Sequence, residues 1–144
     1  MKKIVITGGC GFIGSHIVEY FFAKYKKAKI IVLDKITYAA SINNLKLIKK
    51  EKRLKILKKN ILDFSTLKKI TVKADLVIHA AAESHVDNSF RLNDDFVMTN
   101  VLGTKNVMQA CKENKVKKIL HISTDEIYGE IFKGSFNEND RFNP

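Results

Sequence analysis

The stretch from Thr7 to His16 reads TGGCGFIGSH, with Gly9, Gly11 and Gly14 spaced as G-x-G-x-x-G and Gly8, Gly11 and Gly14 three residues apart. Glycines in this array let the chain turn tightly after a strand. They bring backbone N–H groups close to a pyrophosphate and let the next helix pack close, while the helix N-terminus adds partial positive charge. Asp34 follows Gly14 by 20 residues and ends a second apolar run. A carboxylate there accepts hydrogen bonds from a ribose diol, which favours NAD over NADP. Taken alone, Asp34 reads equally well as a turn or cap residue, and Lys35 beside it is able to meet a 2′-phosphate. A second constellation is the carboxylate pair Asp125-Glu126 after Ser123-Thr124. Adjacent carboxyls serve general acid–base chemistry when repulsion and burial separate their pKa values. By composition alone they are a solvated pair after a strand. His79, His85 and His121 lie on or beside strand ends and lack metal-site spacing, so packing or surface roles suit them.

Short apolar runs must position these groups. Lys3 to Ile6, Ile30 to Leu33, Leu54 to Leu57, Leu76 to His79 and Ile119 to Ser123 have strand length and little polar alternation. Between them, Phe12, Ile13, Ile17, Val18 and Phe21 recur at helical spacing, as do Leu45, Leu47 and Ile48 within a Lys-rich stretch. A short helix is expected from about Ser65 to Ile70, capped by Ser65 or Asp63. Another is expected from about Asn93 to Asn114, interrupted at Gly103. Strands without polar alternation, separated by helices, are buried on both faces of a parallel sheet. The expected fold is α/β, a Rossmann-type doubly wound parallel sheet forming one domain over residues 1–144. Tyr20, Phe21 and Phe22 read as core or interface, and the tail from Gly129 to Pro144 shows no periodicity.

The bulk numbers narrow the class. The 144 residues are 45% hydrophobic and 28% charged, a globular balance, and no apolar run approaches the roughly 18 residues of a membrane span. Ile4 to Ile6 is too short for a signal-peptide core, so a cytoplasmic location and no membrane partner are expected. Cys10 and Cys111 form neither a metal spacing nor a disulfide framework, which suits a reducing compartment. The net charge of +11 raises nucleic acid as a partner. The lysines, however, lie in doublets spread along the chain, with no interleaved aromatic platform, so no nucleic-acid partner is expected.

DKITYAA (Asp34 to Ala40), HAAAESHVDNS (His79 to Ser89), TNVLGT (Thr99 to Thr104) and STDEIYG (Ser123 to Gly129) follow the glycine loop in order. With it they resemble the extended short-chain dehydrogenases, and among these the dTDP-glucose 4,6-dehydratase family. The Asp-Glu pair separates this resemblance from the sister nucleotide-sugar epimerases. The resemblance implies NAD as cofactor and a nucleotide sugar, dTDP-glucose, as substrate. It implies that Gly8, Gly11 and Gly14 form the phosphate loop, that Phe12 and Ile13 cover the dinucleotide, and that Asp34, Lys35, Ile36 and Thr37 lie on the adenosine-ribose side. Asn60 and Ile61 would meet the adenine, Ala80, Ala81, Ala82, Glu83 and Ser84 the cofactor, and Thr99 the ribose or nicotinamide side. Asn60 stands where the family commonly has Asp, so a weakened adenine contact is expected, with Ala40 and Ala80 as smaller departures. Glu126 would be the base at carbon 5, Asp125 the acid at the departing hydroxyl and Thr124 the partner of the carbon 4 oxygen. Ser84 would touch substrate, and Tyr128 would pack or shape the site. The family's Tyr-x-x-x-Lys pair and C-terminal substrate domain find no match in the 144 residues. The resemblance therefore implies an N-terminal part that is inactive alone, leaves part of its sheet uncovered, and belongs to a homodimeric whole. A nucleotide-sugar epimerase or related dehydratase, and a non-catalytic dinucleotide-binding module, are the alternative readings.

Overall fold

The computed structural model describes residues 1–85 and 93–144, the side chains of Asn93 and Asp125 excepted. Five strands, β1 (Lys3–Thr7), β2 (Lys29–Asp34), β3 (Leu54–Lys58), β4 (Leu76–His79) and β5 (Ile119–His121), form one sheet in the order β3-β2-β1-β4-β5. Every pairing is parallel. Period-2 alternation sends neighbouring side chains of one strand to opposite faces, and here both faces are apolar. Ile4, Ile6, Ile30, Val32 and Ile78 pack with Val18 of helix α1 (Phe12–Lys24) on one face. Val5, Ile31, Leu33 and Val77 pack on the other with Leu67 and Ile70 of α2 (Phe64–Thr71) and with Val107 and Ala110 of α4 (Thr104–Glu113). This is the Rossmann-type, doubly wound sheet expected.

The chain begins in the middle of the sheet, runs outward through β2 and β3, then returns to the far side of β1 for β4 and β5. The reversal opens a crevice beyond the carboxyl ends of β1 and β4, the usual ligand position in such a sheet. Asp63 rather than Ser65 caps α2, its Oδ1 accepting the N–H of Thr66 at 3.0 Å.

Two expectations are corrected. The Lys-rich stretch makes only a single 3-10 turn, Ile42–Leu45, capped by the Ser41 side chain. Leu45 is buried but Leu47 is 79% exposed, so no continuous apolar stripe exists to hold a longer helix. Gly103 does not interrupt its helix. α3 (Asn93–Phe96) passes into a π-helical segment, Val97–Gly103, and on into α4. A Cβ at Gly103 would lie 2.4 Å from Ile61 Cδ1, so this glycine permits close packing and ends nothing.

The third expectation concerned uncovered surface. β5 forms one edge of the sheet, with Ile119, Leu120 and Ile122 at 41, 47 and 36% exposure. After a 3-10 turn at Asp125–Tyr128 the tail folds back, and Tyr128 stacks on Phe136 with ring centres 5.3 Å apart.

Candidate functional site: a dinucleotide cleft and its neighbour

The glycine loop joins β1 to α1 with no room for a side chain at Gly8, Gly9 or Gly14. Gly8 has φ +72°, and a Cβ on it would stand 2.6 Å from the backbone of Ala80 and Ala81 at the end of β4. A Cβ on Gly14 would lie 1.9 Å from the carbonyl oxygen of Gly8, so the first turn of α1 is pressed onto the loop. Gly11 caps α1 without a side-chain bond, and no acidic residue occupies the first turn. The positive end of the helix is left for an anion.

Asp34 closes β2 against this loop. Its Oδ2 accepts the N–H of Cys10 at 2.8 Å and its Oδ1 the N–H of Ile36 at 2.7 Å. An ionised carboxylate offers about four lone-pair sites, so two remain for a diol. Asp34 is only 7% exposed, and these backbone donors hold its carboxyl in place. Ile36 takes φ 57° as it donates, a left-handed backbone costing a β-branched residue about 1–2 kcal/mol. The following segment is tied down by Ser41 N–H and Asn44 Nδ2, both donating to the Cys10 carbonyl. Burial, with Asp34 alongside, pushes the Cys10 thiol up to about 12, so it stays a protonated packing group.

A cleft open to solvent results. Of the residues singled out from the sequence it is lined by Gly8, Gly11, Asp34, Lys35, Thr37, Asn60, Ile61, Ala80, Ala81, Ala82, Glu83 and Thr99. Gly14 and Ile36 are not among the lining residues. Phe12 and Ile13 stand outside the lining at 77 and 59% exposure. Leu33, Ala39 and Lys59 also line the cleft and were not singled out. Lys59, at the end of β3, could have been found from the rule that ligands bind beyond the carboxyl ends of strands. A loop alanine such as Ala39 carries no chemical signal.

A second cleft adjoins the first, and Ala81, Ala82 and Glu83 line both. Ser84, Thr124 and Glu126 line only the second. Thr124 Oγ1 accepts the N–H of Glu126 at 3.2 Å and so starts the 3-10 turn after β5. The Asp125 side chain lies outside the described residues. Glu126 is solvent-exposed, so the burial invoked to separate the two carboxyls is not present at that residue. Asn100, on the π-helical segment, clamps the shared wall: its Oδ1 accepts the Glu83 N–H at 2.9 Å and its Nδ2 donates to the Glu83 carbonyl at 2.8 Å. No spacing rule points to such a backbone clamp, although Asn100 lies inside TNVLGT.

His79 sits beneath this wall, fully buried. Its ring nitrogens meet Thr7 Oγ1 at 2.7 Å and Thr104 Oγ1 at 2.9 Å, and its ring stacks on His121 with centres 5.0 Å apart. Burial, helped by His121, pushes His79 down to about 4, so it is neutral near pH 7. It braces β1, β4 and α4. No cluster of three or more His, Cys, Asp or Glu suited to a metal occurs among the described residues. No helix among them is long and apolar enough to cross a membrane.

The dTDP-D-glucose 4,6-dehydratase of Dictyostelium discoideum is 49% identical over 142 residues, covering 97% of this chain and 32% of that protein. The solved dTDP-glucose 4,6-dehydratase of Streptomyces venezuelae, with NAD bound, superposes with a TM-score of 0.91 at 38% identity, over 99% of this chain and 45% of that one. A UDP-N-acetylglucosamine 4-epimerase from Methanobrevibacter ruminantium reaches 0.87 at 32% identity, over 99% and 44%. The chain thus spans about a third to under half of the length of these proteins. The model of the GDP-mannose 4,6 dehydratase family matches residues 5–144, from within β1 through both clefts to the last residue. With loop, ribose-side acid and both cleft walls inside that match, the chain belongs to the GDP-mannose 4,6-dehydratase family.

Proposed function

We propose that this chain supplies the cofactor-binding part of an NAD-dependent nucleotide-sugar 4,6-dehydratase acting on dTDP-glucose, a step in deoxysugar synthesis. One observation carries the cofactor: a loop that excludes a Cβ at Gly8, an uncapped helix end and a fixed carboxylate at Asp34 line up along one cleft. These fit a pyrophosphate and a ribose diol in turn. Bound there, NAD would accept a hydride from carbon 4 of the sugar and return one to carbon 6. The sugar would lie in the second cleft. Glu126 takes the proton at carbon 5, which the carbon 4 ketone acidifies, and Asp125 gives a proton to the hydroxyl leaving carbon 6. Thr124 holds the carbon 4 oxygen and Ser84 contacts the substrate. The Asp-Glu pair favours dehydration over epimerisation, the competing reading that the epimerase likeness keeps in view.

Alone, the chain is proposed to bind cofactor without turnover, as an incomplete NAD-binding domain over residues 1–144. A homodimeric whole is supported by Val97 and Val101, 56 and 64% exposed on the π-helical segment. A reducing, cytoplasmic setting is supported by Cys10 and Cys111, both free and buried.

Thermal unfolding with and without NAD, with NADP as control, tests the cofactor reading. A ligand of the folded state raises the melting temperature. A shift with NAD and a smaller one with NADP is expected. No shift from a cooperatively melting chain sinks this reading. A further rise with dTDP-glucose but not with UDP-N-acetylglucosamine separates dehydratase from epimerase.

A further inference from the structure

Asn60 is the polar side chain of the cleft whose hydrogen-bonding sense the structure decides. Its Oδ1 accepts the N–H of Leu62 at 3.0 Å. An amide NH2 cannot accept, so this bond fixes which end of the amide is oxygen. The Nδ2 group has no protein partner among the described residues and carries two donors, while Asn60 lines the cleft beside Ile61.

The position of a bound base follows from strand order. A pyrophosphate at the Gly8–Gly11 turn and a ribose at Asp34 occupy the ends of β1 and β2, so the base extends to the next strand, β3. There the polar side chains lining the cleft are Asn60 and Lys59, and the ammonium of Lys59 is a donor already 3.6 Å from Asp63. Lys59 carries only donors, and the Nδ2 group of Asn60 adds two more. The carbon 6 substituent of adenine is also a donor, whereas a purine with a keto oxygen at carbon 6 presents an acceptor.

Resting on the NAD reading above, we propose that Asn60 sets the base specificity of this cleft. It admits a dinucleotide whose purine carries a 6-keto group, hypoxanthine, at least as well as one carrying the 6-amino group of adenine. A carboxylate at this position would keep one oxygen on Leu62 N–H and turn the other to the amino group. Asn60 offers its amide nitrogen there instead. Donors left facing a donor weaken binding, and donors facing an acceptor strengthen it.

The test is calorimetric: dissociation constants of NAD and of its hypoxanthine analogue for this chain and for Asn60→Asp, with melting temperatures recorded for both. Asn60→Asp retains an acceptor for Leu62 N–H and should therefore stay folded. The hypoxanthine form is expected to bind within about twofold of NAD, or tighter, to the native chain. In Asn60→Asp, NAD is expected to be preferred by about tenfold, as an acceptor meets the amino group and repels the keto oxygen. A native chain that prefers NAD by tenfold, with the preference unmoved in Asn60→Asp, overturns the inference and leaves the NAD reading standing. Failure of both dinucleotides to bind a folded chain overturns the NAD reading, and the inference with it.

Discussion

A methyl group at Gly8 would collide with the backbone of Ala80 and Ala81 and would have to adopt φ +72°. Gly8→Ala should therefore cost about 2 kcal/mol or more and remove NAD binding, read from urea unfolding and from loss of the NAD-induced melting shift. Such a glycine is legible in the sequence because glycine has no substitute at a positive φ beside backbone. His79 is legible only as a histidine near a strand end; its two threonine partners are 72 and 25 residues away in sequence. Its burial has a pH consequence. The folded chain holds His79 at about 4 against an ordinary 6.5, so between these values the unfolded chain binds more protons. Stability should fall as pH drops from about 6.5 towards 4, by on the order of 3 kcal/mol, and this contribution should level off below that. Urea unfolding of the native chain and His79→Asn at pH 7 and pH 4.5 checks it. The gap between the two should narrow at the lower pH, and a constant gap would rule the assignment out.

At the scale of elements, periodicity anticipated all five strands, most clearly β1, β2 and β4, whose unbroken apolar runs are buried on both faces. Helices were read less well wherever a tertiary contact overrode the local pattern. Gly103 illustrates this. In isolation Gly→Ala within a helix stabilises by about 1 kcal/mol. Here the new Cβ would press on Ile61, which lines the first cleft, so Gly103→Ala should gain nothing in stability and should weaken NAD binding severalfold. A more stable variant with unchanged affinity, by unfolding and calorimetry, would contradict this. The cap of α2 is simpler: Asp63→Ala loses the bond to Thr66 N–H and should lower the urea midpoint of unfolding. The Lys-rich stretch misled because its apolar residues have helical spacing but only Leu45 is fully buried, with Ile48 partly buried against the core and Leu47 exposed, and spacing alone does not report what surface is available to bury them.

For the whole molecule, the edge at β5 decides solution behaviour. Ile119 and Leu120 of β5, with Ile122 just after it, present an exposed apolar edge that pairs with no further strand among the described residues, a template for another chain. The purified chain should self-associate with concentration, and Leu120→Lys should shift light-scattering mass towards the monomer. An unchanged mass would place the association elsewhere. The site residues before β5 were legible from motifs, while Ala39, Lys59 and Asn100 came into view only with the fold, since their roles depend on where the sheet ends rather than on their type. The wall from Ala81 to Glu83, clamped by Asn100 and shared by both clefts, has a thermodynamic corollary. A ligand that orders this wall from one side prepares it for a ligand on the other. Linkage then obliges each such ligand to change the affinity of the other by the same factor, so the coupling can be measured from either cleft.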